Sequence, residues 1–407
     1  MTLLCGATVV TGNGTLDPGW VRVDGGLVSD LGAGDAPSQT RADDASAGVS
    51  RSLGGKWLIP GMVDIHVHGG GGASFDSHDP LEVLDGVEFH RRHGTTQTLA
   101  SLVTAPVEHL LRSLSVLSEL VDDGEIAGVH LEGPFISSSQ CGAQDPKFMI
   151  APDTEIMTRL LNAGRGTVRV VTIAPELPRS NELIRQITDA GALVAIGHSD
   201  ASYDDAMRAI DEGVRIATHL FNGMRGGHHR DPGAVLAALT RPEVICELIV
   251  DSIHVHPAVL SHAIGSAGTD RIASVTDAIS AAGEPDGSYQ LGSIRVEVVR
   301  GIARVGGNQS LAGSTLTTDA ALRHAISDVG LTLSEAVRVC STTPASLIFG
   351  PAGNGPSHDG PVGGVIEIGA RADLVVLNEN FAVDAVMRGG NWVEDPGNIA
   401  GTRKSET

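Results

Sequence analysis

Apolar and polar positions follow two different idioms along this chain of 407 residues. From Met1 to about Trp57, short apolar runs are cut by glycines and turn formers: ATVVTG, GWVRVDGGLVSDLG and KWLIPG. Alternating runs of this length predict short strands joined by tight turns. The C-terminal stretch returns to the same idiom with GGVIEIGARADLVVLN and AVMRGGNWV. Together the two ends predict one small, β-sandwich-like domain from residues 1–57 and 358–407. Two unrelated appendages are the alternative.

The middle, 58–357, alternates apolar runs with amphipathic stretches, the pattern of parallel βα units. The runs are MVDIHVH, TQTLASL, IAGVHLE, VRVVTIAPE, ALVAIGHS, RIATHL, VICELIVD and RIASVTD, with helical stretches such as SNELIRQITDAG and SYDDAMRAIDEG between them. Such a series predicts an α/β fold, a (β/α)8 TIM-like barrel. An open doubly wound sheet is the runner-up, but no GxGxxG turn follows a first strand. The four glycines at 69–72 lack the Lys-Ser/Thr of a phosphate-binding loop and read as a turn.

The formal charge of −21 argues against nucleic acid and means that an anionic ligand must be held by a local cluster. No apolar run reaches the roughly 18 residues of a membrane span. The opening MTLLCGATVVTGNG has no basic segment leading into a long apolar core, so no signal peptide is expected. The cysteines 5, 141, 246 and 340 are scattered and form no CxxC pair, which fits a reducing cytoplasm.

Polar residues fall at the C-terminal ends of the predicted strands, where a barrel gathers its functional groups. Strand one ends in His66 and His68, strand three in Glu132, strand five in His198 and strand six in His219. Strand seven leads to Asp251 and His254, and strand eight ends in Asp277. His66 and His68, two apart on a strand, share a face. Any one of these histidines alone reads most simply as a core residue with a satisfied hydrogen bond. The set is hard to obtain that way, and imidazoles with carboxylates suit zinc, iron or a similar divalent ion. A metal in a barrel mouth implies hydrolysis, with Asp277 taking a proton from water and passing it to the leaving group. His90 and His93 on a charged helix, His228 and His229 in a loop, and Cys141 without an adjacent base match no strand end.

At these residues the chain resembles the metal-dependent amidohydrolase superfamily, through IPGMVDIHVHG at 59–69, GHS at 197–199 and VTDA at 275–278. HLEGPF at 130–135, THLFNGM at 218–224 and LAGSTLT at 311–317 are similar to the N-acetylglucosamine-6-phosphate deacetylase family more narrowly. The resemblance implies cleavage of the N-acetyl group to give glucosamine 6-phosphate and acetate. It implies one or two ions per subunit, zinc or iron. Glu132, His198 and His219 would hold the principal ion, and His66 and His68 a second with Glu132 bridging. Asp277 matches a proton-shuttling aspartate that also belongs to the metal set. Asn222, Gly223, the segment Asp251, Ser252, Ile253 and His254, and Leu311, Ala312 and Gly313 match substrate-contacting positions. Arg230 matches an arginine that reaches the phosphate in a neighbouring subunit, which implies a homodimer.

The departure is at Gly142, Ala143 and Gln144, where relatives carry a sugar-contacting histidine at the last position. Glutamine keeps hydrogen-bonding capacity but carries no charge. Slower turnover is the expected consequence, unless the metal polarises the carbonyl alone. Rival readings are a cyclic-amide hydrolase, a deaminase or a non-catalytic scaffold. Strand four has no lysine to bridge two metals, and all the ligands are retained.

Overall fold

The computed structural model describes residues 1–37, 49–349 and 363–394. Eight strands stand side by side in chain order: Met62–Val67, Thr95–Leu102, Gly128–Glu132, Val168–Ile173, Leu193–Ile196, Val214–Ala217, Ile245–Ile249 and Ile272–Val275. They pair in parallel, and each falls within or overlaps one of the expected apolar runs. Strands buried on both faces need no polar side, which is why these segments read as near-continuous apolar runs. The intervening helices have local start signals. Asp153 caps Thr154–Ala163 by accepting the N–H groups of Glu155 and Ile156. Ser202 and Asp205 form a reciprocal capping box on Tyr203–Glu212.

The first and eighth strands close the barrel through a few polar ties. The Asp277 N–H donates to the His66 carbonyl at 2.8 Å, and Thr276 Oγ1 donates to Asp64 Oδ2 at 2.5 Å. Burial lifts the Asp64 carboxyl to about 6, against the opposing pull of the Thr276 hydrogen bonds. Closure therefore occurs at the residues flanking the candidate ligands.

Strands from both ends of the chain form a second sheet of eight strands. Among the described residues hydrogen bonds join these strands into one continuous sheet. Its central joint is Leu374–Leu377 running antiparallel to Trp57–Pro60, the strand that crosses the expected boundary after residue 57. The other expected boundary, at 358, lies outside the described residues. Side-chain alternation lets each strand serve two cores. Leu58, Leu374 and Val376 enter the small core with Leu4, Val21 and Met387, while Ile59, Val375 and Leu377 pack on the barrel.

A three-stranded antiparallel sheet, Gly287–Leu291, Ile294–Val299 and Ile302–Val305, follows strand eight. It was not anticipated from the sequence. Its apolar face, with Leu291, Val296 and Val298, packs on Val103 and Ile279 at the barrel mouth. No helix among the described residues is long and apolar enough to cross a membrane.

Candidate metal centre

Three of the site residues occupy the same place in their units, two residues past a strand end. His198 follows Ile196, His219 follows Ala217 and Asp277 follows Val275. All three have left-handed backbone, with φ of 46°, 28° and 49°. Non-glycine residues rarely adopt this region, and it persists only where the surroundings enforce it. Here backbone bonds do so: Ser137 N–H to the His198 carbonyl at 2.8 Å, Glu247 Oε2 on the His219 N–H at 3.1 Å, and the Asp277 tie to His66. The turns aim the three side chains across the mouth toward Glu132, the last residue of strand three.

Glu132 is 3% exposed and sits among imidazoles. Its Oε1 lies 3.0 Å from His198 Nε2 and 3.0 Å from His219 Nε2, which are themselves 3.2 Å apart. On the other side, His66 Nε2 and His68 Nε2 are 3.2 Å apart, and both stand 3.4 Å from the Glu132 carboxylate. Asp277 Oδ1 lies 3.2 Å from His68 Nε2 and 3.6 Å from His66 Nε2. The expected ligands thus converge.

The outer nitrogens explain how the inner ones are presented. His68 Nδ1 lies 3.2 Å from the Ser101 carbonyl, and His198 Nδ1 2.9 Å from the Gln140 carbonyl. A carbonyl only accepts, so each Nδ1 carries a proton and leaves an Nε2 lone pair facing inward when the ring is neutral. His66 Nδ1 is similarly engaged by Glu247 Oε2 at 3.0 Å. His219 Nδ1 is buried without a hydrogen-bond partner.

Lone pairs pointed at one another and at carboxylates need something positive between them. For the imidazoles that need shows as proton affinity. Burial opposes the charge on His68, yet hydrogen bonds to Asp277 and Glu132 raise it to about 9. Burial likewise opposes charge on His66 and is overcome by Glu132 and Glu247. Burial would raise Asp277, but the His68 hydrogen bond and nearby imidazoles hold it at about 2. Glu132 is driven well below the usual carboxylate range despite its burial, chiefly by His66 and His198. A divalent cation meets the same need and displaces those protons.

The spacing fits such an ion. Ligands about 2.0–2.1 Å from a tetrahedral zinc stand roughly 3.3 Å from one another, within the observed span of 3.0 to 3.6 Å. Ligand atoms of His66, Glu132 and His219, and those of His66, His68 and Asp277, each lie within 4.8 Å of one another. These two overlapping groups, which share His66, each fit a metal.

The centre opens into a cavity of about 490 Å³. Among the candidate substrate residues, Ala143, Gln144, Asn222, Gly223, His254, Leu311 and Gly313 line it. Asp251 stands behind His254, its Oδ2 2.6 Å from His254 Nδ1. Ser252 turns away to Asp328, Ile253 is exposed, and Ala312 is buried beneath the small sheet. Arg230 lies on an exposed loop beside His229, and no lysine or arginine lines the cavity among the described residues. Cys141 lines it as well. His90 is structural: its Nε2 lies 2.9 Å from the Gly69 carbonyl, and burial lowers it to about 4.

The sequence reading missed Glu247 and His130. Glu247, fully buried on strand seven, links His66 to the His219 backbone. Its signal was a lone carboxylate inside the apolar run VICELIV. His130 shares the inward face with Glu132, stacks edge-on against His66 and bonds Ser101 and Thr172.

The family model described as the amidohydrolase family matches residues 57–393. A Lysinibacillus sphaericus protein named N-acetylglucosamine-6-phosphate deacetylase is 34% identical over 344 residues, covering 83% of this chain and 85% of its own. An Escherichia coli O157:H7 protein named N-acetylgalactosamine-6-phosphate deacetylase is 34% identical, covering 83% and 86%. The crystal structure of N-acetyl-D-glucosamine-6-phosphate deacetylase from Mycobacterium smegmatis matches with a TM-score of 0.89 and 43% identity, covering 97% of this chain and all of that one.

Glu247 should matter through the ligands it braces. Glu247→Gln keeps the shape and removes the charge behind His66, and loss of such a brace typically costs 10–100-fold in metal affinity. Metal analysis after dialysis against graded chelator should show that loss. Retention equal to the parent protein would remove Glu247 from the centre's support.

Proposed function

This chain belongs to the amidohydrolase family, and from that premise we propose that it hydrolyses the N-acetyl group of N-acetylglucosamine 6-phosphate to glucosamine 6-phosphate and acetate. The observation that carries the reading is the convergence of Glu132, four histidines and Asp277 at the floor of one cavity. The names of relatives alike over more than four-fifths of this chain support the substrate class.

In this reading Glu132, His198 and His219 would hold the principal ion, and His66, His68 and Asp277, with Glu132, would hold a second. Imidazole and carboxylate donors suit zinc or iron. A divalent ion there supplies Lewis acidity, polarising a carbonyl and lowering the pKa of nearby water from about 15.7 toward roughly 7. Asp277 is ionised at neutral pH, the state a proton acceptor needs. It takes a proton from the attacking water and passes it to the amide nitrogen, which leaves as an amine only when protonated. Burial opposes charge on His254, but Asp251 holds its Nδ1 and favours the imidazolium, and in that protonated form its Nε2–H can donate to the substrate. Free, scattered cysteines fit action in the cytoplasm.

Among the described residues no lysine or arginine lines the cavity, and in a chain of charge −21 this supports a phosphate contact from outside it. Arg230 of a second subunit is the proposed source, which makes the protein a homodimer.

Acetate release tests the whole reading. N-acetylglucosamine 6-phosphate should be the preferred substrate over its galactosamine and mannosamine isomers and the unphosphorylated sugar. The galactosamine isomer is included because the Escherichia coli relative is named for it. No acetate from any of them by metal-loaded protein would overturn the assignment.

Two substitutions probe the parts. Asp277→Asn should lower kcat by at least about 10²-fold, the usual scale of acid–base catalysis, while substrate still binds. Near-normal turnover would remove the aspartate from proton transfer. Arg230→Ala should lower kcat/KM for the phosphorylated sugar by about tenfold or more, as expected for a lost charge-assisted contact. Equal losses on plain and phosphorylated sugars would contradict the phosphate role.

A further inference from the structure

Gln144 was expected to stand where a histidine orients substrate, but its amide is engaged with the metal centre itself. Its Nε2 donates to Glu132 Oε2 at 2.5 Å, and its Oε1 accepts the Thr104 N–H at 2.7 Å. Thr104 Oγ1 in turn donates to the Glu132 carbonyl at 3.2 Å. The three residues form a closed, buried loop of hydrogen bonds.

Local backbone brings Gln144 there. The chain leaves Glu132, crosses Ser138–Gln140, and turns back with the Gln144 N–H bonded to the Cys141 carbonyl at 2.9 Å. Gly142 takes a left-handed φ of 57° in that turn, and a Cβ on it would approach His198 Cε1 to 3.2 Å. The same segment holds His198 Nδ1 through the Gln140 carbonyl. One loop therefore braces two of the three principal ligands.

We propose that Gln144 is a positioning residue for Glu132, holding its carboxylate turned so that Oε1 faces His198 and His219 while Oε2 is kept toward His68. Oε1 faces His198 and His219 at 3.0 Å each and His66 at 3.4 Å, and Oε2 faces His68 at 3.4 Å. A carboxylate oxygen has two lone pairs, so the Gln144 N–H fills one direction of Oε2 and leaves the other toward His68. Without that donor Glu132 is free to rotate and give both oxygens to the principal ion, abandoning the half built on His66, His68 and Asp277. Gln144 thereby governs whether the second ion binds. The inference rests on the metal centre of the proposed hydrolase and not on its substrate, so a failed acetate assay leaves it testable.

The test is metal uptake by the full-length protein equilibrated in buffers of graded free zinc, with bound zinc counted by mass spectrometry. The parent protein should take up two ions. Gln144→Met keeps bulk and loses the amide, and Gln144→Asn keeps the amide and loses its reach. Both should hold the first ion at near-parent affinity and the second at least about tenfold more weakly, the usual loss for a missing brace. At low zinc their kcat should fall, recovering as zinc is added, with KM little changed. Thermal melting and circular dichroism verify that each variant is folded. A parent protein that takes up one ion even in excess zinc overturns the proposal. So do folded variants that keep both ions at parent affinity, and a raised KM in those variants would make Gln144 a substrate contact instead.

Discussion

The carboxylate of Glu132 is buried at the centre of four histidines, and the surrounding architecture follows from what that requires. A bare anion taken out of water costs several kcal/mol or more and survives only when paired and hydrogen-bonded. Here the pairing comes from imidazole nitrogens on three other strand ends, about 3.0 to 3.4 Å away. Three of those imidazoles, on His68, His198 and His66, are fixed in turn by Ser101, Gln140 and Glu247. A cluster so arranged is electrostatically complete with one or two divalent ions in it, and protons on the histidines are the substitute when ions are absent.

Several otherwise separate features serve that requirement. The barrel closes where Asp277 and Thr276 meet His66 and Asp64, so closure and ligand placement are one set of hydrogen bonds. The left-handed turns at His198, His219 and Asp277 are held by bonds from Ser137, to Glu247 and to His66 respectively. With a charge of −21 and no lysine or arginine lining the cavity among the described residues, the anionic substrate of the proposed reading needs a cation from outside the cavity.

Much of this was legible in the sequence because the physics behind it is local or periodic. Strands buried on both faces announce themselves as apolar runs, and barrel geometry puts the polar residues ending them in one place, so distant residues such as His68 and Asp277 could be grouped. Glu247 was overlooked because a single carboxylate inside VICELIV does not break the apolar pattern that defines the strand. The hairpin sheet at 287–305 carried an alternation, as in IRVEVV, that went unread beside the stronger barrel signal. The orientation of Gln144 was not legible, since it depends on Thr104 and Glu132, which lie 40 and 12 residues away along the chain. Residue type marked the position as unusual, but only tertiary structure shows which group its amide meets.

If these strand-end residues form a metal centre bridged by Glu132, an ion bound there is visible by its own X-ray absorption. Diffraction from crystals of the zinc-loaded protein, measured on either side of the zinc absorption edge, tests for that centre directly. An anomalous peak is expected about 2.0–2.2 Å from Glu132 Oε1, His198 Nε2 and His219 Nε2, the usual zinc–ligand distances. A second peak is expected among His66, His68, Asp277 and Glu132 Oε2. Zinc-loaded crystals with no peak at Glu132, or with the ion bound elsewhere on the protein, would contradict a centre bridged by Glu132.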